Sequence, residues 1–131
     1  MNTNAKTELR RAYLMIEWGR LDDALAACDR AKELLPSPHP MPDALAGSFL
    51  SAFGHHTDAL KRFRRALRLD PDHIFSNIAF AETCLFLGRD RQARRALERV
   101  ERSEGPAEQW REEMLSLQRE IGSTDGIVVA R

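Results

Sequence analysis

Three stretches of this 131-residue chain match one another in register. They are Trp18-Gly19-Arg20-Leu21-Asp22-Asp23-Ala24-Leu25, Phe53-Gly54-His55-His56-Thr57-Asp58-Ala59-Leu60 and Leu87-Gly88-Arg89-Asp90-Arg91-Gln92-Ala93-Arg94. In each stretch a glycine precedes an alanine by five residues, and a residue of core size follows that alanine by four: Cys28, Phe63 or Leu97. The alanines are 35 and 34 residues apart, which indicates a repeat array.

Each unit is predicted to contain two amphipathic helices that are joined by the glycine turn. A small residue and an apolar residue recur upstream of each glycine, as Ala12 with Met15, Gly47 with Leu50, and Ala81 with Cys84. Leu9, Tyr13 and Ile16 recur at spacings of four and three, which is typical of one helix face. The proline-rich segment 36–42 predicts a non-helical connector between the first two units.

This pattern resembles the tetratricopeptide repeat family over residues 5–106. The resemblance implies an all-α fold, a right-handed α-α superhelix (solenoid) with repeats at 5–38, 40–73 and 74–106. Its first helices would line a concave groove and its second helices would form a convex back. The family's usual aromatic residue near the start of the first helix is absent, and Glu8, Asp43 and Asn77 stand there instead.

The C-terminal region is predicted to cap the array. Residues 107–122 are amphipathic, with Trp110, Met114 and Leu117 on one face, so we expect a capping helix over the third repeat. Residues 123–131 are predicted to be a flexible tail. The alternative is that its apolar run, Ile127 to Ala130, docks on the array or in a neighbour's groove and makes a homo-oligomer.

The family pattern also implies which residues bind a partner. The predicted groove residues are Lys6, Arg10, Tyr13, Glu17, Met41, Leu45, Ser48, Phe75, Ile78, Glu82 and Phe86. They favour an apolar peptide or an amphipathic helix, with Tyr13, Phe75 and Phe86 as aromatic anchors. The alternative is that several of them pack between adjacent repeats, since repeat cores and grooves use the same residue types.

One ligand class of the family is excluded by this pattern. Members that bind the acidic C-terminal tails of chaperones use a clamp of Lys, Asn and Arg. The matching positions of this chain hold Leu9, Tyr13, Leu45, Phe75 and Ala79. A carboxylate buried against these residues would lack a cationic partner, and an unpaired buried charge is costly.

Two further functions stay open beside a general protein-interaction module or adaptor. Ala79-Phe80-Ala81-Glu82-Thr83-Cys84-Leu85-Phe86-Leu87-Gly88 resembles the third repeat of the chaperones of type III secretion translocators. Separately, residues 61–102 hold eleven basic and six acidic residues, and most of these arginines fall on predicted second helices. That face is either simply solvated or binds an acidic partner or RNA, and RNA is disfavoured because no aromatic residues interleave with the arginines.

Composition excludes several other classes. The 20 basic and 20 acidic residues cancel, which removes the bulk electrostatic argument for nucleic acid or an anionic membrane. Cys28 and Cys84 belong to no paired motif, and no stretch is apolar enough for a membrane span or an export signal, so we expect a cytoplasmic protein. The adjacent His55 and His56 fit an exposed turn better than a metal site. We predict no enzyme activity, no metal and no cofactor, because no residues at catalytic spacing are found.

Overall fold

The structure is a computed structural model that describes residues 3–103, 111–112, 115–117, 119 and 121. Within residues 3–103, six helices follow one another: α1 Thr3–Glu17, α2 Leu21–Leu34, α3 Met41–Ala52, α4 His56–Leu69, α5 Ile74–Phe86 and α6 Asp90–Arg102. They pack as three pairs, α1 with α2, α3 with α4 and α5 with α6, and the described residues contain no strand. The predicted all-α repeat fold is confirmed.

The three motif glycines end the first helix of each pair. Gly19, Gly54 and Gly88 have φ angles of 73°, 87° and 74°, in the left-handed region that favours glycine. The residue after each glycine donates its N–H to a carbonyl five residues earlier at 2.8 Å, as Arg20 does to Met15. This is a Schellman turn, which satisfies carbonyl groups at the helix end and reverses the chain the same way three times.

Polar side chains occupy the position near the start of each first helix where the family has an aromatic residue. Glu8 accepts hydrogen bonds from Arg11 and Arg30, both at 3.0 Å. Asp43 is fully buried and accepts from Lys32 at 2.8 Å and from Arg62 at 3.0 Å. Ion pairs therefore replace the missing aromatic packing in the first two repeats.

In the third repeat a neutral residue, Asn77, occupies this position. The Asn77 side chain is fully buried and donates its amide N–H groups to the carbonyl oxygens of Pro71 at 2.9 Å and His73 at 3.0 Å. These bonds hold the start of α5 against the connector before it, because both acceptors belong to that connector, residues 70–73. A buried amide is tolerated where its donors are satisfied in this way.

The connector between α2 and α3 is partly as predicted. Residues 35–40 are non-helical, but Pro42 lies in the first turn of α3, so the prediction of a non-helical residue there was wrong. The physical reason is that first-turn N–H groups have no acceptor within the helix, so a proline at that place loses no hydrogen bond.

The apolar core continues beyond the third pair. Leu117 and Ile121 are buried in the same cluster as Leu97 and Val100 of α6. Apolar residues from the region that was predicted to be a capping helix therefore do pack on the third repeat. Trp110, Met114 and the tail 123–131 lie outside the described residues.

The first helices form one continuous surface. α3 contacts α5 directly, and the rings of Tyr13 in α1 and Phe49 in α3 meet edge to face with centroids 5.3 Å apart. We call the surface of α1, α3 and α5 the concave face and the surface of α2, α4 and α6 the convex face. The two faces differ sharply in the side chains that they present.

Candidate functional site

The concave face contains a depression of about 410 Å³ between the second and third helix pairs, here called the inner groove. α3 and α5 form its walls, and the start of α4 closes one end. It is lined by Ser48, Ser51, Ala52, His56, Phe63, Phe75, Ile78, Ala79, Glu82, Thr83, Leu85 and Phe86. Most of these residues are apolar, and five are polar or charged: Ser48, Ser51, His56, Glu82 and Thr83.

Three of the polar residues, Ser51, His56 and Thr83, form a chain of hydrogen bonds. His56 Nδ1 lies 3.0 Å from Ser51 Oγ, Ser51 Oγ lies 3.3 Å from Thr83 Oγ1, and Thr83 donates to the Ala79 carbonyl at 3.0 Å. Because Thr83 gives its single proton to Ala79, Ser51 must donate to Thr83, and His56 Nδ1 must donate to Ser51. Nε2 of the neutral His56 ring is then left as a hydrogen-bond acceptor.

An exposed aromatic residue stands beside this chain. Phe86 is 71% exposed at the end of α5, and its ring packs on the His56 ring with centroids 4.0 Å apart. A large apolar side chain left in solvent beside a depression is a common feature of binding surfaces, because covering it with a partner removes apolar area from water.

The structure brings five of the predicted groove residues together. Ser48, Phe75, Ile78, Glu82 and Phe86 all line the inner groove, although they come from two different repeats. Ile78 is only 2% exposed, so it forms part of the floor rather than the rim.

The other six predicted residues lie elsewhere on α1 and α3. Lys6, Arg10, Tyr13 and Glu17 are exposed on α1, and none of them lines the inner groove. Met41 is half-buried, and Leu45 is 4% exposed within the apolar cluster of the first two repeats. Leu45 therefore packs between repeats and presents almost no surface to a partner.

Two polar residues of the inner groove, His56 and Thr83, were not predicted to face it. Ser51 and Thr83 are 32 positions apart in the chain, and their hydroxyl groups meet only because α3 and α5 lie side by side. His56 was predicted to be an exposed turn residue, but it begins α4 and is half-buried. Its sequence neighbours carry no sign of this, because its partners belong to other helices.

The two cysteines are held as unreactive thiols. Both are free and buried. Burial raises the pKa of Cys28 to about 12, against the opposing effect of Arg62, and burial likewise raises the pKa of Cys84 to about 11. A thiol with so high a pKa supplies little thiolate, which is the nucleophilic and metal-binding form.

The described ranges also bear on metal binding and on membrane insertion. No group of three or more His, Cys, Asp or Glu residues there is placed to hold a metal ion. No helix among them combines the length and the apolar character that crossing a bilayer requires.

Several solved structures share this fold. The first TPR domain of Spaghetti (RPAP3), bound to the HSP90 peptide SRMEEVD, has a TM-score of 0.78 at 15% identity, with 96% of each chain covered. The Yersinia enterocolitica type III secretion chaperone SycD, with a peptide of the translocator YopD, has a TM-score of 0.77 at 14% identity, covering 94% of this chain and 93% of SycD. The Sgt2 TPR domain from Aspergillus fumigatus has a TM-score of 0.75 at 15% identity, covering 95% and 83%.

At these identities the likeness concerns the fold. No curated protein matches the chain in sequence. The family described as Tetratricopeptide repeat matches residues 50–116, which is just over half of the 131 residues. Together with the three helix pairs and their repeated glycine turns, this match shows that the chain belongs to the tetratricopeptide repeat family, whose domains are protein-interaction modules.

Proposed function

We propose that this domain is a non-catalytic adaptor that binds an apolar peptide or an amphipathic helix in the inner groove. The observation that carries the proposal is the groove itself, about 410 Å³ in volume and walled by two repeats. Phe75 and Phe86 are its aromatic anchors, and Phe86 stands 71% exposed at its rim.

The chemistry of the lining supports a mainly apolar ligand. Phe75, Ile78, Leu85 and Phe86 offer contacts that favour Leu, Met or Phe side chains of a helix laid along the groove. Tyr13, exposed on the neighbouring α1, extends this apolar surface across the concave face. Repeat arrays bind elongated partners through extended concave surfaces of this kind.

The hydrogen-bonded His56 at the groove supports one orientation of that ligand. In the uncharged His56 ring, donation from Nδ1 to Ser51 leaves Nε2 as an acceptor. A ligand N–H or hydroxyl placed there would gain a hydrogen bond, and an apolar group placed there would bury Nε2 without a partner. A few well-placed polar groups in an apolar groove fix orientation in this way.

An acidic C-terminal tail fits the groove less well. The positions that match the family's clamp hold Leu9, Tyr13, Leu45, Phe75 and Ala79, and none of them is cationic. Leu9 and Leu45 are also buried, 7% and 4% exposed, so they offer a tail little surface. The HSP90 peptide SRMEEVD, which is seen with the Spaghetti domain, therefore serves as a negative probe.

The test is a titration of the full chain with two peptide probes, and NMR or fluorescence anisotropy monitors the binding. One probe is a synthetic amphipathic helix of about 18 residues, or five turns, with Leu and Met on one face. The other probe is SRMEEVD. We expect the amphipathic helix to bind and to perturb the signals of Phe86 and His56, and we expect SRMEEVD to leave them unchanged.

Two matched variants locate the binding. Phe86→Ala should weaken binding of the amphipathic helix by about tenfold or more, which is the usual effect of truncating an aromatic anchor. Trp18→Ala removes an equally exposed aromatic ring (68% exposed) outside the groove and should leave binding within about twofold. Equal losses in the two variants, or tighter binding of SRMEEVD, would contradict the proposal.

The second candidate of the same class is a chaperone of type III secretion translocators. It is supported by the apolar groove and by the fold shared with SycD, which is seen with a YopD peptide. A YopD-type peptide in the same titration tests it. We place the protein in a reducing compartment, the cytoplasm, which fits its free and buried cysteines.

A further inference from the structure

The convex face contains a second depression, of about 360 Å³, between α4 and α6. We call it the arginine groove. Its floor is apolar and is formed by Leu67, Phe80 and Ala96. Four exposed arginines surround this floor: Arg64, Arg68, Arg95 and Arg99. Among the residues that the structure describes, no Asp or Glu side chain lines the groove.

These four arginines are not neutralised within the described part of the chain, where none of them forms an ion pair. Arg62, which also belongs to α4, shows the contrast. It pairs with Asp29 at 2.9 Å and with Asp43 at 3.0 Å. The arginine groove is thus a place where guanidinium groups stand together without carboxylates. A guanidinium group binds a carboxylate through two parallel hydrogen bonds, so such a cluster is complementary to an acidic ligand.

The positive surface continues towards the first repeat. Arg68 also lines a neighbouring depression of about 490 Å³, together with Lys32, His39 and Arg65. The acidic residue there, Asp43, is fully buried and already bonded to Lys32 and Arg62. Because Lys32 is bonded to Asp43, the positive charge of this second depression comes mainly from Arg65 and Arg68 of α4, which continue the arginine groove towards the connector after α2.

The floor of the arginine groove favours an acidic protein segment over a nucleic acid. Nucleic acids bind such surfaces by stacking bases on aromatic rings. The Phe80 ring is not free for stacking, because the Arg64 guanidinium lies over it with its Cζ 5.9 Å from the ring centroid. Leu67 and Ala96 instead offer apolar contacts that suit aliphatic side chains.

We infer that the arginine groove binds an acidic amphipathic protein segment, with its Asp and Glu side chains on the four arginines and its apolar side chains on the floor. This site is separate from the inner groove. The chain can therefore hold two different partners on opposite faces, one recognised by apolar contacts and the other by charge and apolar contacts together.

The experiment uses the full chain and three probes. The first is a helical peptide of about 18 residues that carries a stripe of Leu flanked by Glu. The second is the same peptide with every Glu replaced by Gln. The third is an oligouridine of similar length. We expect the acidic peptide to bind most tightly. Raising the salt from about 0.05 to 0.3 M should weaken it, because exposed charges are screened.

Variants assign that binding to the groove. Arg68→Glu with Arg95→Glu should weaken the acidic peptide by about tenfold or more, since each substitution replaces attraction with repulsion. Arg68→Gln with Arg95→Gln should give a smaller loss, and circular dichroism checks that both variants fold. Arg89→Glu with Arg91→Glu changes the net charge equally at exposed positions outside the groove, so its effect should stay within about twofold.

Four results would overturn the inference. They are no binding of the acidic peptide, equal binding of the Gln peptide, tighter binding of oligouridine, and an equal loss in the Arg89 and Arg91 control. Phe86→Ala separates this inference from the proposed function, because it should weaken the inner-groove ligand and leave the acidic peptide unaffected.

Discussion

The second and third helix pairs have the same fold but carry different residues at equivalent core positions. The pair α3–α4 has Gly47 in its first helix and Phe63 in its second, and the pair α5–α6 has Ala81 and Leu97 at the same repeat positions. All four are buried. A Cβ atom added to Gly47 would lie 2.6 Å from Phe63 Cε1, closer than real contacts allow. The larger ring in one pair therefore requires the smaller residue opposite it.

The same two pairs differ in how their first helices begin. Asp43 joins the second pair to the first through Lys32 of α2, and Arg62 of the second pair bonds both Asp43 and Asp29 of α2. Asn77 bonds only to carbonyl oxygens of its own connector. The junction between the first two repeats thus depends on buried charge, and the start of the third depends on neutral hydrogen bonds. Asp43 and Asn77 occupy the same repeat position, and each anchors the start of its helix, one through ion pairs and the other through neutral hydrogen bonds. Substitutions at the two residues should therefore destabilise the fold by different amounts.

The largest expected effect comes from Asp43. Asp43→Ala should destabilise the fold by about 3 kcal/mol, the lower end for breaking a buried pair, because Lys32 is partly exposed and Arg62 keeps Asp29. Asn77→Ala should lose about 1–2 kcal/mol, since only neutral hydrogen bonds disappear. Urea unfolding of the two variants measures the difference. Equal losses of unfolding free energy in the two variants would mean that the ion pairs of Asp43 stabilise the junction between the first two repeats no more than neutral hydrogen bonds would.

The next effect tests the fit between Gly47 and Phe63. Gly47→Ala should cost about 1–3 kcal/mol through overpacking against the Phe63 ring. Adding Phe63→Leu recreates the residues of the third pair and should recover part of that loss. In a double-mutant cycle we expect a coupling of about 1 kcal/mol or more. Strictly additive losses would show that the two positions are independent and that the glycine has another purpose.

The smallest effect concerns two histidines at equivalent positions before α3 and α5. Burial lowers the pKa of His73 from its ordinary value of 6.5, Asp70 opposes this and His39 adds to it. The unfolded chain therefore binds a proton more readily than the folded chain, so stability should fall as the pH drops through about 6.5 towards the lowered folded pKa.

Thermal unfolding between about pH 8 and 5 measures this loss, since that range brackets the ordinary histidine pKa. His73→Gln should flatten the dependence on pH. His39→Gln is the control: His39 is exposed, and its removal deletes only the smallest of the three influences on His73. An unchanged slope in His73→Gln would place the pH dependence elsewhere.

Much of the fold could be predicted from the chain because its repeats are local. Gly19, Gly54 and Gly88 each end a helix through bonds to residues no more than five positions away, so sequence spacing alone indicates the turn. Three copies in register then require three similar units. The exception at Pro42 is a boundary error, since a proline that interrupts a helix interior is tolerated in a first turn.

The candidate site was predictable only in part. Phe75, Glu82 and Phe86 line the inner groove as the family pattern implied, since repeat position places them on the concave face. The same pattern implied Leu45, but this residue is buried by its neighbours, which repeat position does not indicate. His56 was missed because its role depends on Ser51 and Phe86, which belong to α3 and α5.

Periodicity and turn chemistry were thus sufficient for the helices, their pairing and the identity of the family, because these rest on interactions between residues close in the chain. The buried bonds of Asp43 reach Lys32 of the preceding repeat and Arg62 of its own, 11 and 19 positions away. The inner groove and the arginine groove arise between repeats, where residues such as Ser51 and Thr83, 32 positions apart, meet, and their make-up depends on how closely the helix pairs approach. That approach is governed by side-chain volumes such as those of Gly47 and Phe63, which act only once the units are stacked.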